Sequence, residues 1–228
     1  NDDGNAAGLT LQRRSTVSLM GGFGEIRLGR DYTPTFWNTT VYDVFGTNGV
    51  GQSMTPGMIS AAGAGNGTNA VRANNSISYF LPAMGGISGQ VMVAFVAYGK
   101  TTGSTSALDT KYTNIGASFD MGAVKPMLFW GTEKAGNGAK VTGIELSALV
   151  PLGAGNFKAA VSRYDVANSS NDWNKFAIGY DHNLSKRTAL YTTYARVSNK
   201  GAQTKAVANN GLSAGASAAG GNSTGYEF

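Results

Sequence analysis

The side chains best suited to chemistry in this sequence are cations that stand singly along the chain. Lys and Arg together number 18 against 13 Asp and Glu, giving a formal charge of +5 over 228 residues. A guanidinium stays charged at any ordinary pH and binds carboxylate or phosphate through a rigid fork of donors. These Lys and Arg side chains are therefore suited to attracting small anions electrostatically. Six candidates lie on the polar face of strand-like runs: Arg14, Arg27, Arg72, Lys125, Lys158 and Lys175.

Catalytic, metal and nucleic-acid chemistry find little support. The absence of Cys excludes thiolate nucleophiles, disulfides and cysteine metal sites. His182 is the one histidine, and it is expected in a short turn at 181–185, where a solvated polar role is commoner than a catalytic one. A nucleic-acid-binding surface requires clustered Lys and Arg among aromatic residues that stack on the bases, whereas the cations here are scattered along the chain. We therefore expect no enzyme activity, no cofactor, no metal site and no nucleic-acid partner.

Composition favours an all-β protein in a membrane. Charged residues make up only 14% of the chain, hydrophobic residues 42%, and Gly is abundant at 33 residues. No stretch approaches 18 consecutive apolar residues, so the sequence predicts no membrane-spanning helix. A closed β-barrel is the other structure that satisfies its backbone inside lipid. Its strands alternate lipid-facing and lumen-facing side chains, which keeps the overall hydrophobicity moderate.

Strand-like runs occur in pairs joined by short turns of Gly, Pro, Asn, Asp and Ser, while longer polar loops separate the pairs. The runs lie at 10–20, 25–31, 75–81, 89–98, 112–119, 124–133, 141–150, 157–164, 173–180 and 187–197, with a stub at 224–228. The loops lie at 33–70, 101–109, 134–139, 165–172 and 198–224. Short turns on one rim and long loops on the other are typical of an outer-membrane barrel.

Side chains alternate in character within these runs. Ile26 and Leu28 lie opposite Glu25 and Arg27, and unbroken alternation places Arg72 on the polar face of its own strand. Aromatic residues gather near strand ends, where rings of a barrel form interfacial girdles. The alternative is the core of a soluble β-sandwich. The aromatic residues in question are Tyr79, Phe80, Tyr112, Phe119, Trp130, Tyr164, Trp173, Tyr180 and Tyr194.

Four segments resemble the β-proteobacterial general porins of Gram-negative bacteria. They are RRSTVSL at 13–19, FGEIRLGRD at 23–31, RANNSISY at 72–79 and NLSKRTALY at 183–191. The resemblance extends along nearly the whole chain. It implies a transmembrane antiparallel β-barrel of sixteen strands, a homotrimer, and a Gram-negative outer-membrane location in contact with lipid and lipopolysaccharide.

On this resemblance, residues 1–228 form a single barrel domain, present as a fragment. The chain covers about eleven strands and lacks N-terminal strands and part of the closing strand. Adding those gives about fourteen, one hairpin short of the family; either 90–100 conceals a splice between two strands, or the barrel is smaller. The loop at 33–70 takes the place of the family's third loop, which folds into the lumen and constricts it.

The resemblance also ranks the candidate cations. Basic residues at the positions of Arg14 and Arg72 face the constriction in this family, and Arg13 follows because a bulge would exchange its facing with that of Arg14. Arg27 is a further constriction cation. Asp43 is the acid of the constriction loop, where it either forms the opposite wall of a transverse field or anchors the loop to the barrel. Lys125, Lys158 and Lys175 are secondary lumen cations, for which simple pairing with acids is at least as well supported.

These observations predict a general diffusion channel for small hydrophilic solutes, with small anions preferred. Rings of cations lining a pore attract anions, and low-dielectric walls focus the field. One alternative is a solute-specific porin for organic acids or sugars, which would need a track of aromatics along the lumen. An outer-membrane β-barrel enzyme and a soluble adhesin are the remaining alternatives.

Overall fold

The computed structural model describes residues 14–54, 71–80, 82, 95–101, 110–209, 212–213 and 218–228. Within them the chain forms antiparallel strands and one helix, α1 (Pro34–Tyr42). No helix in these ranges is long and apolar enough to cross a membrane. The strands are β1 (Ser15–Gly21), β2 (Gly24–Tyr32), β3 (Arg72–Phe80), β4 (Phe95–Thr101), β5 (Thr110–Ser118), β6 (Lys125–Ala135), β7 (Lys140–Leu152), β8 (Gly155–Val166), β9 (Trp173–Asn183), β10 (Ala189–Asn199), β11 (Ala208–Asn209), β12 (Leu212–Ser213) and β13 (Asn222–Glu227).

Strands that follow one another along the chain also pair with one another. One sheet has the order β1-β2-β3, a second has the order β13-β10-β9-β8-β7-β6-β5-β4, and β11 pairs with β12. Each ladder is antiparallel, as in an up-and-down barrel. The predicted antiparallel all-β fold is thereby confirmed. The run expected at 89–98 is found as β4 at 95–101, and residues 89–94 lie outside the described ranges.

The long strands carry buried side chains on one face and exposed apolar side chains on the other. In β6, Met127 and Phe129 are buried whereas Leu128 and Trp130 are exposed. We call the buried side the inner face and the other the outer face. On the outer face a continuous apolar row crosses four neighbouring strands, formed by Leu128, Leu146, Val161 and Phe176. Their exposed fractions run from 42 to 56%. A band of this kind belongs against lipid.

The aromatic residues divide between the two faces, which corrects part of the girdle prediction. Tyr79, Trp130, Tyr180 and Tyr194 lie on the outer face with apolar strand neighbours, as expected. Tyr164 and Trp173 are instead fully buried on the inner face, where their rings stack at 4.9 Å. Phe80 pairs with Glu25 and Tyr112 pairs with Glu133 on neighbouring strands, so both aromatic side chains also lie on the inner face. The position of a residue near a strand end does not determine which face of the sheet its side chain takes, because the alternation of side chains along the strand determines it.

Helix α1 occupies the start of the 33–70 loop and was not predicted. Thr33 caps its first turn, accepting a hydrogen bond from the Phe36 amide at 3.3 Å, and Pro34 occupies the first helical position. Both residue types favour helix starts, since Thr supplies an acceptor and Pro has no amide hydrogen to leave unpaired. The Thr33 amide also donates to the Val71 carbonyl at 3.0 Å. That bond closes the loop at its base.

Candidate functional site

Helix α1 is fixed to the inner face of the sheet through β5. The Asn38 side-chain amide donates to Asn114 Oδ1 at 3.2 Å, and Asn114 Nδ2 donates to the Thr35 carbonyl at 2.8 Å. Tyr42 is fully buried and lies directly over Gly116, where any Cβ would collide with its ring. The helix therefore lies flat against the wall at a distance that only a glycine permits. Burial also raises the pKa of the Tyr42 hydroxyl.

Asp43 organises the turn that follows α1. Its carboxylate accepts hydrogen bonds from the backbone amides of Phe45 at 2.9 Å, Thr47 at 2.8 Å and Ser53 at 2.7 Å. Burial raises the pKa of Asp43, and the three amide donors together with nearby Lys175 act in the opposite direction. A carboxylate committed to three amides has little capacity left for solutes. The contacts thus favour the anchoring role for Asp43 over the role of an open acidic wall.

Three ionisable side chains meet beneath this turn. Glu145 and Lys175 lie on the inner face of β7 and β9, each no more than 4% exposed, and both are close to Asp43. Lys175 Nζ donates to the Gln52 carbonyl, and Ser162 Oγ donates to Glu145 Oε2 at 3.2 Å. We call Asp43, Glu145 and Lys175 the buried triad. Lys175 has the predicted facing, but the loop covers it, so it holds the loop and does not meet open water.

The described end of the loop is tied to the same wall. The Met54 amide donates to the Tyr164 hydroxyl at 3.0 Å, and the Val50 amide donates to Glu227 Oε2 at 2.9 Å. Val50 also packs in the apolar cluster that contains Trp173 and Val197. Residues 34–54 therefore run along the inner face from β5 to β13, and each part of the segment has its own contact with a strand.

Arg14 and Arg27 lie on one face of the β1-β2-β3 sheet, each beside carboxylates. Arg27 donates to Glu25 and Asp31, at 2.7 and 2.6 Å, and its guanidinium lies 4.3 Å from the centre of the Phe80 ring. Arg14 Nε lies 3.2 Å from Asp31, with 47% of its side chain exposed. Both arginines thus share the inner face, as predicted. Arg14 is the more open to solvent.

Arg72 has a different environment from the one that unbroken alternation predicts. The pairing of β2 with β3 shifts between Gly29 and Asp31, so Ala73 lies opposite Asp31 and Arg72 opposite Tyr32. The extra residue lies in β3, where the three steps from Ser76 to Ala73 lie opposite the two steps from Gly29 to Asp31. The predicted row through Arg72 and Ser78 is therefore wrong. The Arg72 guanidinium lies 4.7 Å from the centre of the Tyr32 ring, and Nη2 donates to the Tyr32 hydroxyl at 3.1 Å.

The other residues singled out in the sequence are Lys125, Lys158, Arg13 and His182. Lys158 forms an ion pair with Asp181 at 2.6 Å, so it is the paired inner-face cation that sequence reasoning allowed for. Lys125 is half-buried at the start of β6, on the inner row of Met127. Arg13 lies outside the described residues. His182 lies within β9 and not in the predicted turn, and its Nδ1 is 3.3 Å from the Tyr180 hydroxyl. No cluster of three metal-ligating side chains occurs in the described part of the chain.

Two side-chain clusters near the loop were missed by sequence reasoning. Tyr32, Phe36 and Trp37 gather where β2 meets α1, and Lys205 lies 4.6 Å from the centre of the Trp173 ring. Burial lowers the pKa of Lys205 to about 8, against the opposing effect of Glu133. The Thr-Pro pair at 33–34 was an available signal for the first feature. No sequence signal marks the second, because residues from distant loops and strands form it.

This architecture defines a membrane β-barrel in which residues 34–54 lie against the wall of one sheet and Arg14 and Arg27 lie on another sheet. Residues 1–106 and 94–202 match the Gram-negative porin family. The chain belongs to that family and is an outer-membrane protein, which confirms the resemblance and the predicted location.

Two relatives and one further structure that shares the fold give the extent of the match. The chain is 36% identical over 264 residues to outer membrane porin protein 32 of Delftia acidovorans, covering 99% of this chain and 75% of that protein. It is similar to the solved anion-selective porin from Comamonas acidovorans, with a TM-score of 0.79, 35% identity, and coverage of 99% of this chain and 79% of that chain. A loop L8 deletion mutant of OmpT from Vibrio cholerae shares the fold, with a TM-score of 0.51, 15% identity, and coverage of 81% of this chain and 61% of that chain.

Proposed function

We propose that this protein is a general diffusion channel for small hydrophilic solutes that prefers anions. The observation that carries the proposal is the group of three guanidinium groups around the β1-β2-β3 sheet. Arg14 and Arg27 stand on its inner face, and Arg72 lies where β3 meets the loop. Cations lining a pore raise the local anion concentration, most strongly where low-dielectric walls focus the field.

The balance of nearby charge supports this preference. Three arginines face two carboxylates, those of Glu25 and Asp31, which leaves one positive charge in excess. The acid of the loop does not offset it, because the Asp43 carboxylate is buried and bonded to backbone amides. The relative from Comamonas acidovorans is itself described as anion-selective. Residues 33–70 act in this proposal as the constriction loop of one barrel domain.

The proposal includes partners and excludes catalysis. We infer a homotrimer in contact with outer-membrane lipid and lipopolysaccharide, with small anionic solutes passing through each barrel. The channel carries out no reaction and holds no cofactor. Transport through such a pore depends on its cross-section and its field alone.

A solute-specific channel is the second candidate, and one observation favours it. Sequence parity placed most aromatics on the outer face, but Tyr32, Phe36 and Trp37 form a cluster beside Arg72 on the side of α1 that faces away from the wall. Adjacent aromatic rings are what a binding channel for organic solutes would require.

The test is a current measurement on the purified protein in a planar lipid bilayer. With different KCl concentrations on the two sides, the zero-current potential should take the sign that chloride permeation gives. Conductance should be ohmic and should persist for a range of small anions. A potential of the sign given by potassium permeation would overturn the anion preference, and the absence of any conductance would overturn the channel.

A further inference from the structure

We propose that Arg72 and the aromatic cluster of Tyr32, Phe36 and Trp37 form a binding subsite for planar aromatic carboxylates at the start of the constriction loop. This inference rests on the proposed function, because a solute must first enter the channel. We call these four residues the aromatic ledge. The subsite would give the channel a preference among anions, in addition to its preference for anions over cations.

The geometry of the rings provides a stacking surface. The Tyr32 and Phe36 rings have centroids 5.2 Å apart and planes 27° from parallel, and Trp37 lies 6.1 Å from Tyr32 at 32°. Near-parallel rings at these distances leave flat faces on which a further planar ring can lie offset. The indole of Trp37 is 40% exposed, so one of these surfaces is open to solvent.

The orientation of α1 turns the ledge away from the wall. Thr35, Asn38, Thr39 and Tyr42 are the buried residues of the helix and include those that contact β5. Phe36 and Trp37 lie about 100° and 200° around the helix from Thr35, because successive residues are about 100° apart. Their side chains therefore lie outside the face of α1 that packs on the sheet, and Trp37 lies nearly opposite that face.

Arg72 supplies the complementary charge. Arg14, Arg27, Lys158 and Arg163 each have a carboxylate partner, but no carboxylate lies within ion-pair distance of Arg72 among the described residues. Its only described partner is Tyr32, which places the guanidinium at the edge of the ring cluster. A carboxylate can accept from the guanidinium while its ring lies on the ledge. Acetate could use only the charge, and cyclohexanecarboxylate lacks the flat face.

The experiment compares three sodium salts in the bilayer assay with the whole protein. Benzoate, cyclohexanecarboxylate and acetate are titrated against a fixed chloride current. Benzoate should reduce the current at a concentration about threefold to tenfold lower than cyclohexanecarboxylate does, which is the range expected for one added aromatic contact. Trp37→Leu should abolish that difference, Trp37→Phe should retain part of it, and Arg72→Gln should weaken the effect of all three salts.

The matched control is Trp130→Leu, the same substitution on the outer face. It should leave the benzoate preference unchanged. Equal potency of benzoate and cyclohexanecarboxylate in the unaltered protein, or a benzoate preference that survives Trp37→Leu, would overturn the subsite. If Trp37→Leu does not insert into the bilayer, the test is the potency of benzoate relative to cyclohexanecarboxylate in the unaltered protein and in Trp37→Phe. The zero-current potential in the same bilayers keeps the two proposals distinct, because anion preference without benzoate preference refutes the ledge alone.

Discussion

Single side chains on the inner face fall into two groups, those that reach open solvent and those covered by the loop. Arg14 has 47% of its side chain exposed, whereas Lys175 is 4% exposed. Both were inner-face candidates by strand parity, and parity was right about the face of each. Whether the loop covers a side chain depends on contacts such as that between Lys175 and Gln52, which lie 123 residues apart in the sequence. Strand alternation carries no information about contacts of that range.

The first prediction concerns the cation of the buried triad. Replacing Lys175 with Met leaves Asp43 and Glu145 together without a counter-charge, so the free energy of unfolding should fall by about 3 kcal/mol. Lys158→Met is the matched control, because it removes a more exposed cation from the same face and should cost about 1 kcal/mol or less. Chemical unfolding in detergent measures both. Equal losses would mean that the loop does not depend on Lys175.

The second prediction is a pH dependence that comes from Lys205. Its folded-state pKa of about 8 lies below the ordinary lysine value of 10.5. Between those values the unfolded chain binds a proton that the folded protein does not, so stability rises with pH across the window. Relative to Lys205→Met, the unaltered protein should gain about 2 kcal/mol from pH 8 to pH 10.5. A flat difference across this window would show that Lys205 is not buried against Trp173.

At the scale of elements, the inward loop depends on the fit of helix α1 to β5. Gly116 leaves the space that the Tyr42 ring fills. The third prediction is that Gly116→Val displaces α1 and lowers the free energy of unfolding by about 1–3 kcal/mol, as overpacking does. Single-channel conductance should change as well, because the loop moves. Ala117→Val is the control, since it makes a similar change on the exposed side of the same strand. Unchanged conductance in Gly116→Val would contradict the loop placement.

Strands were predictable from the sequence to a much greater degree than the loop. Runs such as 141–150 and 173–180 alternate strongly and lie between clear turn residues, and they appear as β7 and β9 with slightly longer bounds. Helix α1 is only nine residues long and is held by tertiary bonds to Asn114, so local pattern was weak there. The bulge in β3 between Ala73 and Ser76 moved Arg72 off its predicted row, which the local pattern did not show either. One extra residue in a strand is invisible to a period of two.

The position of the protein in the membrane is set by the apolar row on the outer face, which is formed by Leu128, Leu146, Val161 and Phe176. Val161 lies mid-strand within it, between Leu146 and Phe176. The fourth prediction is that Val161→Arg destabilises the folded protein in lipid by about 1–4 kcal/mol, the cost of a cation on the lipid face. Lys134→Arg, a matched change at an exposed cation near a strand end, should have little effect. Folding equilibria in lipid vesicles measure both. Equal stability of the two variants would contradict the assigned band.

In the proposed channel, the guanidinium groups of Arg14, Arg27 and Arg72 set the ion preference. The most direct measurement is the zero-current potential, in a KCl gradient, of the double variant Arg14→Glu with Arg72→Glu. Its control is Arg163→Glu with Arg196→Glu, which makes the same change of charge on the outer face, where both arginines are exposed. We predict that the variant of Arg14 and Arg72 shifts toward cation preference and that the outer-face variant keeps the anion preference of the unaltered protein. An unchanged anion preference in the variant of Arg14 and Arg72, or an equal shift in both variants, would show that these two arginines do not set the ion preference.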